Sequence, residues 1–210
     1  MKVELLTSET SFSDMEKFAA LAALTCHGNA EKEHVPSEVL ERIIKAGHES
    51  VLEHITLTYS VKGLSRACLQ ELARHRHISL SVESTRHTLR KQLLEDIIKH
   101  YPTRKIVVIN TETGKPSNLV NTYFDCLEMI ARDNPEFSND ELKYYLPELW
   151  PTNLILTTNI RELRHILNLR TTPAALKEFR DLGHALFEAV PEQFRYLLAD
   201  CVHEEENAND

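Results

Sequence analysis

Residues 55–76 read ITLTYSVKGLSRACLQELARHR and contain both patterns that define the fold class. Over 55–62, apolar residues alternate with Thr, Ser and Lys, which predicts a half-buried strand. After Gly63, the apolar residues recur at helical spacing, which predicts a helix over 64–76. The basic tripeptide at 74–76 would then lie at the C-terminal end of that helix.

The flanking segments predict an α+β protein. Their patterns favour a short strand over 3–6, helices starting at Ser13 and Pro36, helices over 118–132, 154–169 and 172–190, and a loop or extended segment over 78–86. We therefore expect a single domain over residues 1–203, with several helices packed on a small mixed or antiparallel sheet. The acidic residues 204–210 have the composition of a disordered tail.

Composition excludes several classes of protein. The chain has 210 residues and a formal charge of −8, and no apolar stretch approaches the roughly 20 residues of a membrane helix. The first residues lack the basic and apolar regions of a secretory signal, so we expect a cytoplasmic protein with no membrane partner. The 4 cysteines are widely spaced and match no zinc pattern, which favours reduced thiols and no metal site.

The charge is unevenly distributed along the chain. Between Lys62 and Lys91 there are seven basic residues, namely Lys62, Arg66, Arg74, Arg76, Arg86, Arg90 and Lys91, against the acidic Glu71 and Glu83. A local cationic site on an acidic protein suggests a small anionic ligand. A nucleic-acid-binding module is the alternative, but this stretch has no aromatic residue for base stacking, and the net charge opposes phosphate binding.

Two polar clusters could carry chemistry, and each also has a structural explanation. The first is Arg74-His75-Arg76, followed by Ser84 and Arg86; its positive charges could instead complement a helix dipole. The second places Arg161, His165 and Asn168 on one helical face, where a solvent-exposed stripe is the alternative.

Taken together, these segments resemble the flavin-dependent thymidylate synthase family. The family signature Arg-His-Arg, seven residues, Ser is present as RHRHISLSVES over 74–84, followed by Arg86. Upstream, GHESVLEH over 47–54 is similar to a second family segment, and TNIRELRHILNLR over 158–170 is similar to a third. Three motifs occur in the family's order over residues 47–170.

The resemblance implies synthesis of dTMP from dUMP. The carbon would come from 5,10-methylenetetrahydrofolate, FAD would carry the hydride and NADPH would reduce the flavin. The implied partners are these small molecules and further copies of the chain, because the family is a homotetramer whose active sites combine residues from several subunits. No serine or cysteine nucleophile is then required.

The resemblance also assigns residues to sites. The implied FAD-binding residues are Ser50, Arg74, His75, Arg76, Asn159, Arg161 and His165. The implied dUMP-binding residues are Glu71, Arg74, Glu83, Ser84, Arg86, Lys143 and Arg170. Arg170 is the implied catalytic residue, since a positive charge against the pyrimidine would favour ionisation at N3 and raise the electron density at carbon 5.

Some positions differ from the common family pattern. Val82 stands where many members have Glu or Gln, Glu71 where Gln is frequent, Lys143 where Arg is common and His87 where Tyr often occurs. The differences at Val82, Glu71 and His87 leave open a nucleotide-binding homologue that has lost methyl transfer.

Overall fold

The computed structural model describes residues 1–95, 108–109, 116–117 and 119–203, which form two compact units. The terminal unit consists of Lys2–Val61, Glu71–Ser81 and Ile155–Asp210, and the central unit consists of Met1, Lys62–Gln70 and Val82–Leu154. The predicted tail over 204–210 lies outside the described residues, and the domain span 1–203 stays a prediction. In the described part of the chain, no helix combines the length and apolar character needed to cross a membrane.

Helices and strands are mixed along the chain. In the described ranges, the strands are β1 (Lys2–Leu5), β2 (Thr56–Ser65), β3 (Ile78–Val82), β4 (Val108–Ile109), β5 (Pro116–Ser117) and β6 (Pro151–Asn159). The α-helices are α1 (Glu9–Cys26), α2 (Pro36–Lys45), α3 (Arg66–Leu72), α4 (Thr85–Leu94), α5 (Leu119–Asp133), α6 (Asn139–Leu142), α7 (Ile160–Arg170) and α8 (Lys177–Glu188). Short 3-10 helices cover Glu49–His54, Lys143–Tyr145, Glu192–Leu197 and Ala199–Cys201. The predicted α+β class is confirmed.

The main sheet is antiparallel, with strand order β1-β2-β6-β3. The prediction of a helix over 154–169 was wrong over 154–159, where the chain forms β6 and pairs with β2. Thr152, Leu154, Leu156 and Thr158 are buried while the residues between them are not, which is the alternation of a strand. Threonine supplies half of this buried face, so the pattern is weak when only apolar residues are scored.

Strand β2 and helices α2 and α5 confirm the predictions for those segments. The helix predicted over 64–76 is shorter, because β2 continues to Ser65 and α3 ends at Leu72. The Ser65 hydroxyl accepts a hydrogen bond from the Cys68 N–H at 3.1 Å, as a helix N-cap does. The Arg-His-Arg tripeptide therefore lies in the turn after α3.

Two predicted helix starts were also wrong. Helix α1 begins earlier than Ser13, because the Ser8 side chain accepts from the Ser11 N–H and caps the helix. Helix α8 begins after Leu176, since the Thr172 hydroxyl donates to the Leu169 carbonyl at 3.1 Å and closes the preceding helix instead. The segment predicted as a loop or extended chain over 78–86 forms β3 and the first turn of α4.

Helices α7 and α8 supply fully buried apolar residues to the terminal unit. The α7 residues Leu163, Ile166 and Leu167 are fully buried, as are Phe179 and Leu182 of α8. A face of this kind fixes the rotation of α7, so its remaining positions are presented in a defined direction. Asn159 sets the start of α7, since its side chain accepts from the Glu162 N–H at 2.9 Å.

The central unit has a separate core around Trp150. Buried Leu89, Leu93, Phe124, Leu127, Ala131 and Leu142 form one cluster with Trp150. Beside it, the Arg90 guanidinium donates to the carbonyls of Ala131, Asn134 and Phe137, where α5 ends. Arg90 therefore satisfies backbone acceptors at a helix C-terminus, although it belongs to the basic stretch that suggested an anionic ligand.

We expect Arg90→Leu to lower the free energy of unfolding by about 2–4 kcal/mol, because three carbonyls lose a charged donor. Urea denaturation measures this change. The matched control is Lys91→Ala, whose exposed ion pair with Glu95 at 3.8 Å should contribute less than about 0.5 kcal/mol. Equal stability losses in the two variants would contradict the role of Arg90.

Candidate functional site

His75 lies at the centre of a hydrogen-bonded line in the terminal unit. Its Nδ1 is 3.2 Å from Glu162 Oε1, and its Nε2 accepts from Arg170 Nε at 3.2 Å. Both His75 and Glu162 are buried. The turn after α3 is thus joined to both the first and the last turn of α7.

This line fixes the protonation of His75. A guanidinium can only donate, so Nε2 must be the acceptor and Nδ1 must carry the proton that it donates to Glu162. Burial and the charge of Arg170 both lower the pKa of His75 below its usual value, against the opposing effect of Glu162. His75 is therefore a neutral imidazole with a defined tautomer at neutral pH.

Arg170 is held on two further sides. Its Nη1 donates to Glu71 Oε2 at 3.0 Å, and its Cζ lies 4.8 Å from the centroid of the Phe179 ring. The Arg170 side chain is only 20% exposed. A planar cation with so many contacts has little freedom to rotate, which suits a group that must meet a ligand in one orientation.

Two cavities flank α7 within the terminal unit. The larger one, of about 710 Å³, is lined by Glu49, Glu53, His77, Asn159, Arg161, Glu162, Arg164, His165, Asn168, Asp200 and Cys201. The smaller one, of about 340 Å³, is lined by Arg74, His75, Arg76, His77, Glu162, His165, Leu169 and Arg170. His77, Glu162 and His165 belong to both linings, so the cavities adjoin along one wall.

A buried guanidinium forms part of the wall of the larger cavity. Arg164 donates to both carboxylate oxygens of Asp200 at 2.6 and 2.7 Å, to Glu49 at 3.0 Å and to the Leu197 carbonyl at 2.7 Å. These hydrogen bonds from Arg164 hold the pKa of Asp200 below its usual value. Arg164 thereby ties the 3-10 helices Glu49–His54, Glu192–Leu197 and Ala199–Cys201 to α7.

The other predicted FAD-binding residues occupy varied positions. Arg161 is exposed and pairs with exposed Glu53 at 2.5 Å. Ser50 is exposed in the 3-10 helix Glu49–His54 and lies outside both cavity linings. Arg74 and Arg76 are exposed in the smaller cavity, where Arg74 also lies 3.8 Å from Glu71.

The remaining predicted dUMP-binding residues belong to the central unit. Ser84 is the N-cap residue of α4 but makes no capping bond with its side chain, and Arg86 lies in the first turn. Arg86 pairs with Asp140 at 3.0 Å, and both side chains are more than half exposed. Lys143 is exposed at the end of α6, a helix that packs on α4.

Glu83 is already engaged within the same unit. Its carboxylate accepts from Gln92 Nε2 at 2.7 Å and from Asn153 Nδ2 at 2.6 Å. The first contact joins Glu83 to α4, and the second joins it to β6. The assignment of Glu83 to dUMP binding stays a prediction.

Among the cavity-wall residues that sequence reasoning did not assign to a site are His77, Glu162, Arg164 and Asp200. Arg164 had a detectable signal, because Ile160, Leu163 and Leu167 place it among the buried positions of an amphipathic helix. Asp200 had none, since it lies 36 positions along the chain from its partner.

A protein-family model described as "Thymidylate synthase complementing protein" matches residues 5–194. Flavin-dependent thymidylate synthase from Campylobacter jejuni (strain RM1221) is 38% identical over 185 residues, which cover 86% of this chain and 85% of that one. The enzyme of the same name from Wolinella succinogenes is 39% identical over 181 residues, covering 85% of both chains.

Solved structures extend the likeness to the fold. Thymidylate synthase X from Helicobacter pylori, crystallised with FAD and dUMP, matches with a TM-score of 0.77 and 32% identity. The match covers 97% of this chain and 100% of that one. By sequence and by structure, the chain belongs to the flavin-dependent thymidylate synthase family.

Proposed function

We propose that the chain makes dTMP from dUMP, with 5,10-methylenetetrahydrofolate as carbon donor, FAD as hydride carrier and NADPH as reductant. The observation that carries this proposal is the likeness, over 97% of the chain, to a thymidylate synthase structure that holds FAD and dUMP. The unusual Glu71 is compatible with this activity, because its Oε2 accepts from Arg170 as a glutamine oxygen would.

FAD would be held in the terminal unit. The larger cavity of about 710 Å³ lies within the range of about 300–1,000 Å³ that is common for cofactor sites. Arg161 can exchange its exposed partner Glu53 for a phosphate at little cost, because exposed ion pairs contribute less than about 1 kcal/mol. FAD bound there would supply the hydride-transfer chemistry between NADPH and the pyrimidine.

The other flavin contacts use groups that remain free to donate. The Asn159 amide nitrogen is not needed for capping α7, since the oxygen does that. His165 is exposed and lines both cavities, and Arg74 and Arg76 add positive charge beside it. Buried His75 would act as a neutral wall residue, and Ser50 would meet the cofactor from outside the two cavities.

The phosphate of dUMP would bind at the start of α4. The first N–H groups of a helix lack intrahelical partners and carry partial positive charge. The Ser84 hydroxyl is not used to cap them, and Arg86 can leave its exposed partner Asp140. Lys143 would add a second cation, and Glu83 would hold the start of α4 in place.

Arg170 would act on the pyrimidine itself. Its fixed charge favours ionisation of the ring at N3, which raises the electron density at carbon 5. Carbon 5 is the atom that would attack the methylene carbon of the folate. No covalent enzyme nucleophile is then required. Cys201 lines the larger cavity, but burial raises the pKa of its thiol to about 11, so it remains protonated at neutral pH.

We also propose a homotetramer in the cytoplasm, with active sites at subunit interfaces. Large apolar side chains such as Phe18, at 63% exposure, and Tyr144, at 88%, support further association. The free thiols of Cys26, Cys68, Cys126 and Cys201 fit a reducing compartment. Light scattering after gel filtration measures the subunit number.

The absorption spectrum of the purified protein tests the function directly. We expect bound flavin that NADPH bleaches anaerobically and that dUMP with methylenetetrahydrofolate reoxidises as dTMP forms. Bleaching without dTMP would instead indicate the homologue that lacks methyl transfer. A protein with no affinity for FAD would refute the proposal.

Arg86→Ala should weaken dUMP binding by about 10- to 100-fold, because one charged hydrogen bond contributes about 1.5–3 kcal/mol. Flavin content should stay normal. Isothermal titration with dUMP measures the affinity, and Lys91→Ala on the same helix is the control. Loss of flavin with unchanged dUMP affinity would reverse the assignment.

Arg170→Lys keeps the charge but removes the planar fork. We expect kcat to fall by about 10- to 100-fold, with a change in dUMP affinity below about 5-fold, because the interaction strengthens toward the transition state. Steady-state kinetics with a dUMP titration separate the two effects, and Arg42→Lys in α2 is the control. A rise in KM at constant kcat would mean that Arg170 only binds.

His75 should make stability depend on pH. Because its pKa is lowered in the folded protein, the unfolded chain binds more protons once the pH falls below about 6.5, and stability is lost in that direction. Urea denaturation between about pH 7.5 and pH 5.5 should therefore show a shallower slope for His75→Gln than for the wild type. Exposed His27→Gln is the control, and identical slopes for all three proteins would refute the assignment.

A further inference from the structure

Helix α8 lies outside the three sequence motifs, yet it contributes one side chain to the cluster formed by Arg170, His75 and Glu71. The Phe179 ring is fully buried, and the Arg170 guanidinium lies over it at 4.8 Å. The same ring meets the His75 ring nearly at right angles, at 82° and with 6.0 Å between centroids. Phe179 thus contacts both members of the Arg170–His75 hydrogen bond.

Close packing of the two helices fixes the place of this ring. A Cβ atom at Gly183 would lie 2.8 Å from Thr171 Cγ2, so α8 approaches the end of α7 as closely as a glycine allows. The Thr171 side chain cannot easily move away, because its hydroxyl donates to the Leu167 carbonyl and accepts from the His203 N–H. Phe179 lies one turn before Gly183 on the same face of α8.

The hydrogen bonds of Arg170 still allow its guanidinium plane to tilt, and a packed aromatic ring limits that tilt. Nε and Nη1 donate to His75 and Glu71 in the guanidinium plane, and hydrogen bonds tolerate some tilt of that plane. The Phe179 ring opposes the tilt, because the Arg170 Cζ lies over the ring at 4.8 Å from its centroid, where the cation is attracted to the ring face. Nη2 has no hydrogen-bond partner among the described residues and remains for a ligand.

We propose that Phe179 is a positioning residue for the methyl-transfer reaction, which acts by holding the plane of Arg170 through its ring face. This inference rests on the role proposed for Arg170. Phe179 is fully buried and lines neither cavity, so it acts through Arg170 and His75.

The test replaces the ring and keeps the apolar volume. In FAD-loaded Phe179→Leu we expect kcat to fall by about 10-fold while the dissociation constant of dUMP changes by less than about 3-fold. The pH slope of stability assigned to His75 should also become shallower, since Arg170 is held less closely. Phe179→Tyr, which restores the ring, should recover most of the turnover. Phe179→Met is the second ring-free variant if Phe179→Leu does not fold.

The matched control is Phe194→Leu, a buried phenylalanine of the same unit that stacks on Phe12 at 4.2 Å. It should match Phe179→Leu in stability loss and keep its kcat. In an Arg170→Lys background, Phe179→Leu should lower kcat little further, because the group that it positions is gone. A ring-free variant with the kcat and the pH slope of the control overturns the positioning role. Unchanged kcat in Arg170→Lys alone would instead refute the function proposed for Arg170.

Discussion

The buried contact between His75 and Glu162 organises the terminal unit around α7. Glu162 is 8% exposed, so its carboxylate depends on the His75 Nδ1–H for a side-chain donor. A buried carboxylate that loses such a donor costs more than about 1–3 kcal/mol. The contact holds the turn after α3 against the first turn of α7, which leaves Nε2 to accept from Arg170 at the other end of the helix. Glu162 lines both cavities, and His75 lines the smaller one.

The fold was predictable where one signal dominates a segment. Strand β2 alternates cleanly, and α5 has a clear apolar stripe, so both were found from the sequence. Strand β6 was missed because Thr152 and Thr158 occupy buried positions that a count of apolar residues leaves empty. Its continuation into α7 without a Gly or Pro break concealed the change of structure; only the capping side chain of Asn159 marks it.

The site was predictable as a set of motifs but not as a set of contacts. The motifs identified Arg170 and His75, yet no pattern in the sequence indicates that Arg170 donates to His75 or lies over Phe179. Such contacts depend on how α7 and α8 pack. The two helices can approach this closely because Gly183 has no side chain that would collide with Thr171. Arg164 could have been found from its place on the buried face of α7, because a charged residue in such a stripe requires partners.

Burial separates the arginines of this acidic protein into two groups. Arg164 and Arg170 are largely buried and bind carboxylates that stay in place, because an uncompensated buried charge is costly. Arg86 and Arg161 are about half exposed or more and pair with equally exposed carboxylates, which water and salt can replace. The buried arginines therefore have a fixed geometry that suits the orientation of a ligand. The exposed arginines can release their carboxylate partners and bind a phosphate instead. An excess of acidic residues is thus compatible with anionic ligands, since a carboxylate paired with an exposed arginine can be replaced by another anion at little cost.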